Sequence, residues 1–275
     1  MVRIALFQSR TGIDPAANAQ RIVAAIDEAA AEGSAMLFTP EMSGLLDRNS
    51  ERATSNIRVE EDDLVIAAAR NAAHAKGIWV HLGSIAVLTE GGQLANRSFV
   101  IDPRGEIRAR YDKIHLFDVD LPTGESWRES NTYRHGQEAV VVTGTPVGTL
   151  GLAICYDLRF PALFARLAEA NADVIAVPAA FTVPTGKAHW EVLLRARAIE
   201  AGLFVVAAAQ SGHHEDGRTT YGHSLVIDPW GEILLDMGDG AGVKVAEIDL
   251  KRITDVRSRV PAIIHRRPIE AAVAR

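Results

Sequence analysis

One cysteine in 275 residues leaves no internal disulfide to form, so nothing in the chain signals an oxidising compartment. Aromatic residues are sparse, at 6%. No apolar stretch approaches the roughly 20 residues needed to span a bilayer. The apolar run at the amino terminus, within residues 1–10, is too short for a secretory signal. These absences make a cytoplasmic protein with no membrane partner the default expectation. Basic residues are also short: 29 Lys and Arg face 35 Asp and Glu, a formal net charge of −6. That balance favours solubility and argues against nucleic-acid binding, which needs clustered Lys and Arg. No Gly/Ser-rich linker divides the chain, so residues 1–275 are expected to form one domain, and 48% hydrophobic content suffices for a sizeable core.

What is present is a strand and helix order that occurs twice. Residues 3–8 read as a strand and residues 18–32 as an amphipathic helix with Ile22, Val23, Ile26 and Ala30 on one face. A strand over 35–39 then runs into Pro40 and Glu41, and a helix over about 61–75 leads to a strand over 78–85. The second half reads as strand 150–154, helix 161–170, strand 174–178, helix 190–201 and strand 203–209. Residues 98–107 and 224–233 agree at eight of ten positions, each a strand, a D-P-x-G turn and a returning strand. The surrounding order makes duplication the better account of this agreement. Two βαβ-type halves, each closed by a hairpin, imply mixed sheets covered by helices. Residues 266–275 read as an exposed tail or an interface arm.

Cys155 stands where an apolar strand gives way to a polar turn, and Pro161 then opens a helix. Free cysteine is usually a small buried hydrophobe, but backbone N–H groups at such an elbow can bind an oxyanion and activate a thiol. Glu41 ends a strand, Lys113 lies beside an apolar run, and Glu129 falls in a loop-like segment over 124–136. Each alone reads as a surface charge. A lone thiol with a carboxylate and an ammonium brought to strand ends is the equipment for acyl transfer by a sulfur nucleophile.

Three segments together resemble the nitrilase superfamily of carbon–nitrogen hydrolases, over residues 3 to about 268. They are Phe38-Thr39-Pro40-Glu41, Tyr111-Asp112-Lys113-Ile114-His115-Leu116, and residues 151–161 around Cys155. Glu129 matches a second glutamate of that family. The resemblance implies a four-layer α-β-β-α sandwich of two mixed sheets with an internal pseudo-twofold repeat. It also implies a homodimer or higher homo-oligomer, no cofactor and no metal, and a small-molecule amide substrate. By the same resemblance Glu41, Lys113, Glu129 and Cys155 are catalytic, the backbone N–H of Tyr156 shares the oxyanion with Lys113, and Arg159 and Thr185 bind a 2-oxo acid. Residues 185–200 are similar to the deaminated glutathione amidase and omega-amidase branch, and residues 210–214 with 221–224 look more like the glutathione-directed side. Lys187 departs from the proline usual there, which bears on the local loop shape. The expected reaction is hydrolysis of deaminated glutathione to 2-oxoglutarate and cysteinylglycine through a thioester. Alternatives are an omega-amidase acting on 2-oxoglutaramate, an N-carbamoyl amino acid hydrolase, and a non-catalytic binding protein on the same scaffold. A metal hydrolase built on His213, His214 and His223 with Glu215 and Asp216 fits no zinc spacing. A Cys–His hydrolase would draw on His115 or His189. For Arg159 the structural alternative is an ion pair with Asp157.

Overall fold

The computed structural model describes residues 1–120, 124 and 126–271. The first half runs β1 (Val2–Gln8), α1 (Pro15–Ala31), β2 (Met36–Phe38), α2 (Ser50–Asn56), α3 (Leu64–Lys76), β3 (Trp79–Leu88), β4 (Leu94–Ile101) and β5 (Ile107–Asp112). A ribbon of β6 (Asp118–Asp120) and β7 (Ser126–Arg128) leads to β8 (Val141–Thr145), β9 (Gly148–Leu152), α4 (Pro161–Glu169), β10 (Val174–Ala176), α5 (Val183–Ala201) and β11 (Phe204–Ala207). A second ribbon, β12 (Ser211–His213) with β13 (Thr219–Tyr221), precedes β14 (Leu225–Ile227), β15 (Ile233–Asp236), β16 (Gly242–Ile248) and α6 (Lys251–Arg259). Helices α1 to α5 begin on side-chain caps or prolines: Asp14 accepts from Ala16 N, and Asp63 accepts from both Val65 N and Ile66 N. The carboxy-terminal stretch is mostly exposed as far as residue 271, and its last four positions lie outside the described residues.

The two sheets have matching strand orders, β5-β4-β3-β2-β1-β16 and β15-β14-β11-β10-β9-β8. In each, three parallel strands (β1, β2, β3 or β9, β10, β11) are flanked by antiparallel ones. The repeated decapeptides are β4–β5 and β14–β15. Asp102 Oδ1 accepts from Arg104 N and Glu106 N, and Asp228 Oδ1 accepts from Trp230 N and Glu232 N. Gly105 and Gly231 take left-handed φ values of 74° and 86° at the same turn position. Even the register shift recurs, after Val100 in one hairpin and after Val226 in the other. The repeat is therefore structural, down to its hydrogen bonds.

Alternation along β1 sorts the layers. Ile4 and Leu6 pack with Leu150, Leu152, Val174 and Ala176 of the other sheet, so the sheets meet face to face. Ala5 and Phe7 point the other way, onto Ile22 and Ile26 of α1 and Val65 and Ala69 of α3. Leu163 and Phe164 of α4, with Trp190 and Leu194 of α5, cover the far side of the second sheet. The result is the expected four-layer α-β-β-α sandwich. The largest boundary difference is in α5, which begins at Val183, so Thr185 and Lys187 are helical and the loop expected before Trp190 is absent. Thr185 and Gly186 are weak helix formers, but Pro184 starts the helix and Gly186 packs against Tyr221, where any Cβ would overlap the ring.

Gly83 sits where the two halves cross. A Cβ there would overlap the Thr39 carbonyl and lie 2.6 Å from both Pro40 O and Pro178 Cβ. Thr39 and Pro40 lead into Glu41, and Pro178 O accepts from Cys155 N at 2.9 Å. Gly83→Ala should therefore cost about 3 kcal/mol or more and remove activity, read as a lowered Tm together with lost turnover.

His81 on β3 is fully buried, with Nε2 2.9 Å from Ser98 Oγ, and burial pushes its pKa down to about 3 from 6.5. The unfolded chain thus takes up this proton first. The stability contributed by the neutral ring is complete above pH 6.5 and is lost as pH falls toward 3. At full extent the loss is on the order of 5 kcal/mol. Denaturant midpoints should fall between pH 7 and 4, and His81→Asn should flatten that slope.

Candidate active site

Four ionisable or nucleophilic side chains converge from separate elements. Glu41 follows β2, Lys113 follows β5, Glu129 follows β7 and Cys155 follows β9. Lys113 Nζ lies 2.9 Å from Glu41 Oε1 and 3.0 and 2.8 Å from the two oxygens of Glu129. Glu41 Oε2 accepts from Ala180 N at 2.9 Å, and Glu129 Oε2 from Phe117 N at 2.7 Å. All four residues line a cavity of about 590 Å3 at the ends of the parallel strands, where open α/β sheets place their ligands.

The backbone holds the sulfur in an unusual conformation. Cys155 has φ +49°, left-handed for a residue with a Cβ, and Met42, just past Glu41, has φ +55°. Such geometry costs about 1–3 kcal/mol and persists only where the surroundings impose it. The short helical turn Cys155–Arg159 then delivers the chain to α4. Asp157 fixes that turn from full burial. It accepts from Ile154 N at 2.9 Å, Tyr111 Oη at 2.7 Å, and His115 N and Nδ1 at 3.0 and 2.7 Å.

The electrostatics follow from this packing. Burial, and then the Glu41 carboxylate, push the Cys155 thiol well above its ordinary range, against the opposing pull of Lys113. Burial works against charge on Lys113, but Glu129 and Glu41 hold its pKa well above normal. The arrangement favours a neutral thiol beside a carboxylate and a firmly charged ammonium.

Tyr156, Arg159 and Thr185 line the same cavity. Arg159 does not pair with Asp157, whose carboxylate is committed to Tyr111, His115 and the turn. Instead its guanidinium lies 5.8 Å from the Tyr156 ring, 5.7 Å from Phe181 and 3.3 Å from His189 Nδ1. Thr185 Oγ1 is 2.8 Å from Thr182 Oγ1. His115 is held by Asp157 and stacked on Phe160 at 3.6 Å. His214 is occupied by Thr11 and Thr220, and His223 by Asp236. Among the described residues no group of His, Cys, Asp or Glu is arranged to hold a metal ion. No helix among them is long and apolar enough to cross a membrane.

Asn96 escaped the sequence reading. Its Nδ2 bridges the carboxylates, 3.0 Å from Glu41 Oε1 and 3.2 Å from Glu129 Oε1. Gln210, fully buried, donates to the Glu41 carbonyl at 2.9 Å. Asn96 lies two residues before the repeated decapeptide, where the second half has Gly222; that asymmetry between the halves was the available signal.

A family model described as carbon-nitrogen hydrolase matches residues 3–258. The deaminated glutathione amidase of Yersinia enterocolitica is 39% identical over 246 residues, covering 88% of this chain and 85% of that one. The C. elegans NitFhit protein matches with TM-score 0.89 at 36% identity, over 97% of this chain and 65% of that longer chain. A variant of the amidase from Nesterenkonia sp. AN1, with acrylamide added at its active-site cysteine, matches with TM-score 0.79 at 26% identity, over 95% and 98% of the two chains. Fold and family together define a hydrolase of carbon–nitrogen bonds other than peptide bonds. The chain belongs to the carbon–nitrogen hydrolase family.

Proposed function

We propose that the chain is a cysteine-dependent amidase that hydrolyses deaminated glutathione, at the amide joining the 2-oxoglutaryl group to cysteinylglycine. The observation that supports this most is a buried lysine clamped between Glu41 and Glu129, facing the same cavity as a cysteine held at left-handed φ. An amide is a poor electrophile, and splitting its hydrolysis into two acyl transfers lowers each barrier. Glu41 takes the thiol proton as sulfur attacks the carbonyl carbon and the S–C bond forms. The carbonyl oxygen gains negative charge, met by the Lys113 ammonium and the Tyr156 backbone N–H; each such donor is worth about 3 kcal/mol. Glu41 returns the proton to the departing nitrogen as the C–N bond breaks, which leaves a thioester on Cys155. Water, deprotonated by Glu41, then attacks the thioester, the S–C bond breaks and the thiol is restored. Glu129 keeps Lys113 charged and oriented while Glu41 cycles.

The 2-oxo acid end falls to Arg159 and Thr185. A guanidinium four residues past the sulfur can take a carboxylate with two hydrogen bonds. The glutathione-directed relatives add weight to this choice over the omega-amidase reading, in which 2-oxoglutaramate is the substrate. The deciding experiment is a side-by-side panel of deaminated glutathione, 2-oxoglutaramate, an N-carbamoyl amino acid and a simple nitrile. The highest kcat/KM is expected for deaminated glutathione. A strong preference for 2-oxoglutaramate replaces this assignment with omega-amidase, and no turnover of any of the four favours the non-catalytic scaffold.

A further inference from the structure

The cavity has a second polar end that the chemistry above leaves unused. There Trp127 of β7 lies between two guanidiniums, with Arg48 4.7 Å and Arg218 5.2 Å from its ring. All three residues line the cavity that holds Cys155. The indole Nε1 of Trp127 is buried and meets no acceptor among the described residues. An indole N–H only donates, and leaving it buried and unmatched costs about 1–3 kcal/mol. An acceptor supplied by a ligand removes that cost. Among the described residues, Asp47 pairs with Arg52 at 2.5 Å, and Asp216 takes Arg218 Nε at 2.7 Å.

The same tryptophan begins an aromatic row. Phe117 is 6.3 Å from Trp127, Tyr156 is 5.2 Å from Phe117, and Arg159 lies over Tyr156. Guanidiniums therefore flank both ends of the row, and Tyr156 directly follows the sulfur-bearing residue. This pattern suits a substrate with a carboxylate on each side of its scissile amide.

We propose that Trp127, Arg218 and Arg48 form a carboxylate subsite for the leaving half of the substrate. The subsite receives the terminal carboxylate of the departing dipeptide, with an N–H from Trp127 and charge from the two arginines. The proposal rests on the deaminated glutathione reading and explains how a cavity built for that substrate separates it from 2-oxoglutaramate, whose leaving group is ammonia.

The test compares deaminated glutathione with the same molecule capped as its carboxy-terminal amide, in the native enzyme, Trp127→Phe and Arg218→Met. The native enzyme should favour the free acid by about 10–100-fold in kcat/KM, as expected for charge-assisted hydrogen bonds. Trp127→Phe keeps the ring and removes only the donor. It should narrow that preference about fivefold through KM, and Arg218→Met should erase most of it. Equal turnover of acid and amide by the native enzyme overturns the subsite and leaves the proposed function standing. A parallel loss on both substrates in Trp127→Phe also overturns it, because a merely structural role predicts that result. No turnover of either substrate by the native enzyme removes the proposed function and the subsite with it.

Discussion

Cys155→Ala should lower kcat for amide hydrolysis by at least about 10^4-fold, with KM and Tm little changed. The sulfur is the sole thiol in the chain and stands at the mouth of a rigid turn, so no neighbouring nucleophile can replace it. Alanine meets the same left-handed backbone cost as cysteine, which keeps the folded states comparable. What disappears is the covalent route. Steady-state kinetics with thermal melts checks this, and activity within tenfold of native would remove sulfur from the mechanism.

Glu41→Gln should cost about 10^2–10^4-fold in kcat, the usual worth of a general base, and should also move the titration of the thiol. The second effect separates a chemical role from a structural one. Burial and the Glu41 charge raise the Cys155 pKa, whereas Lys113 lowers it. Glutamine removes one of the raising causes and leaves the lowering one in place, so the sign of the shift is downward. Iodoacetamide should then alkylate the variant at lower pH than the native protein, even though the variant turns over more slowly. Slower turnover with an unmoved alkylation profile would place Glu41 outside contact with the thiol.

Much of this was legible in the sequence, for reasons visible in particular residues. The strand order was readable because apolar alternation and the D-P-x-G turns are local signals, and the repeat doubled them. The Glu41, Lys113 and Cys155 segments stood out only together, through their joint resemblance to the nitrilase superfamily, because each residue alone reads as a surface charge or a small buried hydrophobe. The start of α5 was not legible: Thr185 and Gly186 argue against helix locally, and Pro184 together with the packing of Gly186 on Tyr221 decides otherwise. Asn96 was hidden for a different reason. It is one polar residue on an alternating strand, and its partners Glu41 and Glu129 are 55 and 33 positions away. Arg159 could not be resolved either, because whether it pairs with Asp157 depends on Tyr111 and His115 having taken that carboxylate first.

The most direct measurement is intact mass spectrometry of the native enzyme, acid-quenched during turnover of deaminated glutathione, followed by peptide mapping. A single 2-oxoglutaryl group in thioester linkage on Cys155, absent from Cys155→Ala and discharged by hydroxylamine, is the predicted result. Full turnover with no acyl group on that sulfur at any quench time, under conditions where acylation outpaces thioester hydrolysis, would contradict the covalent account.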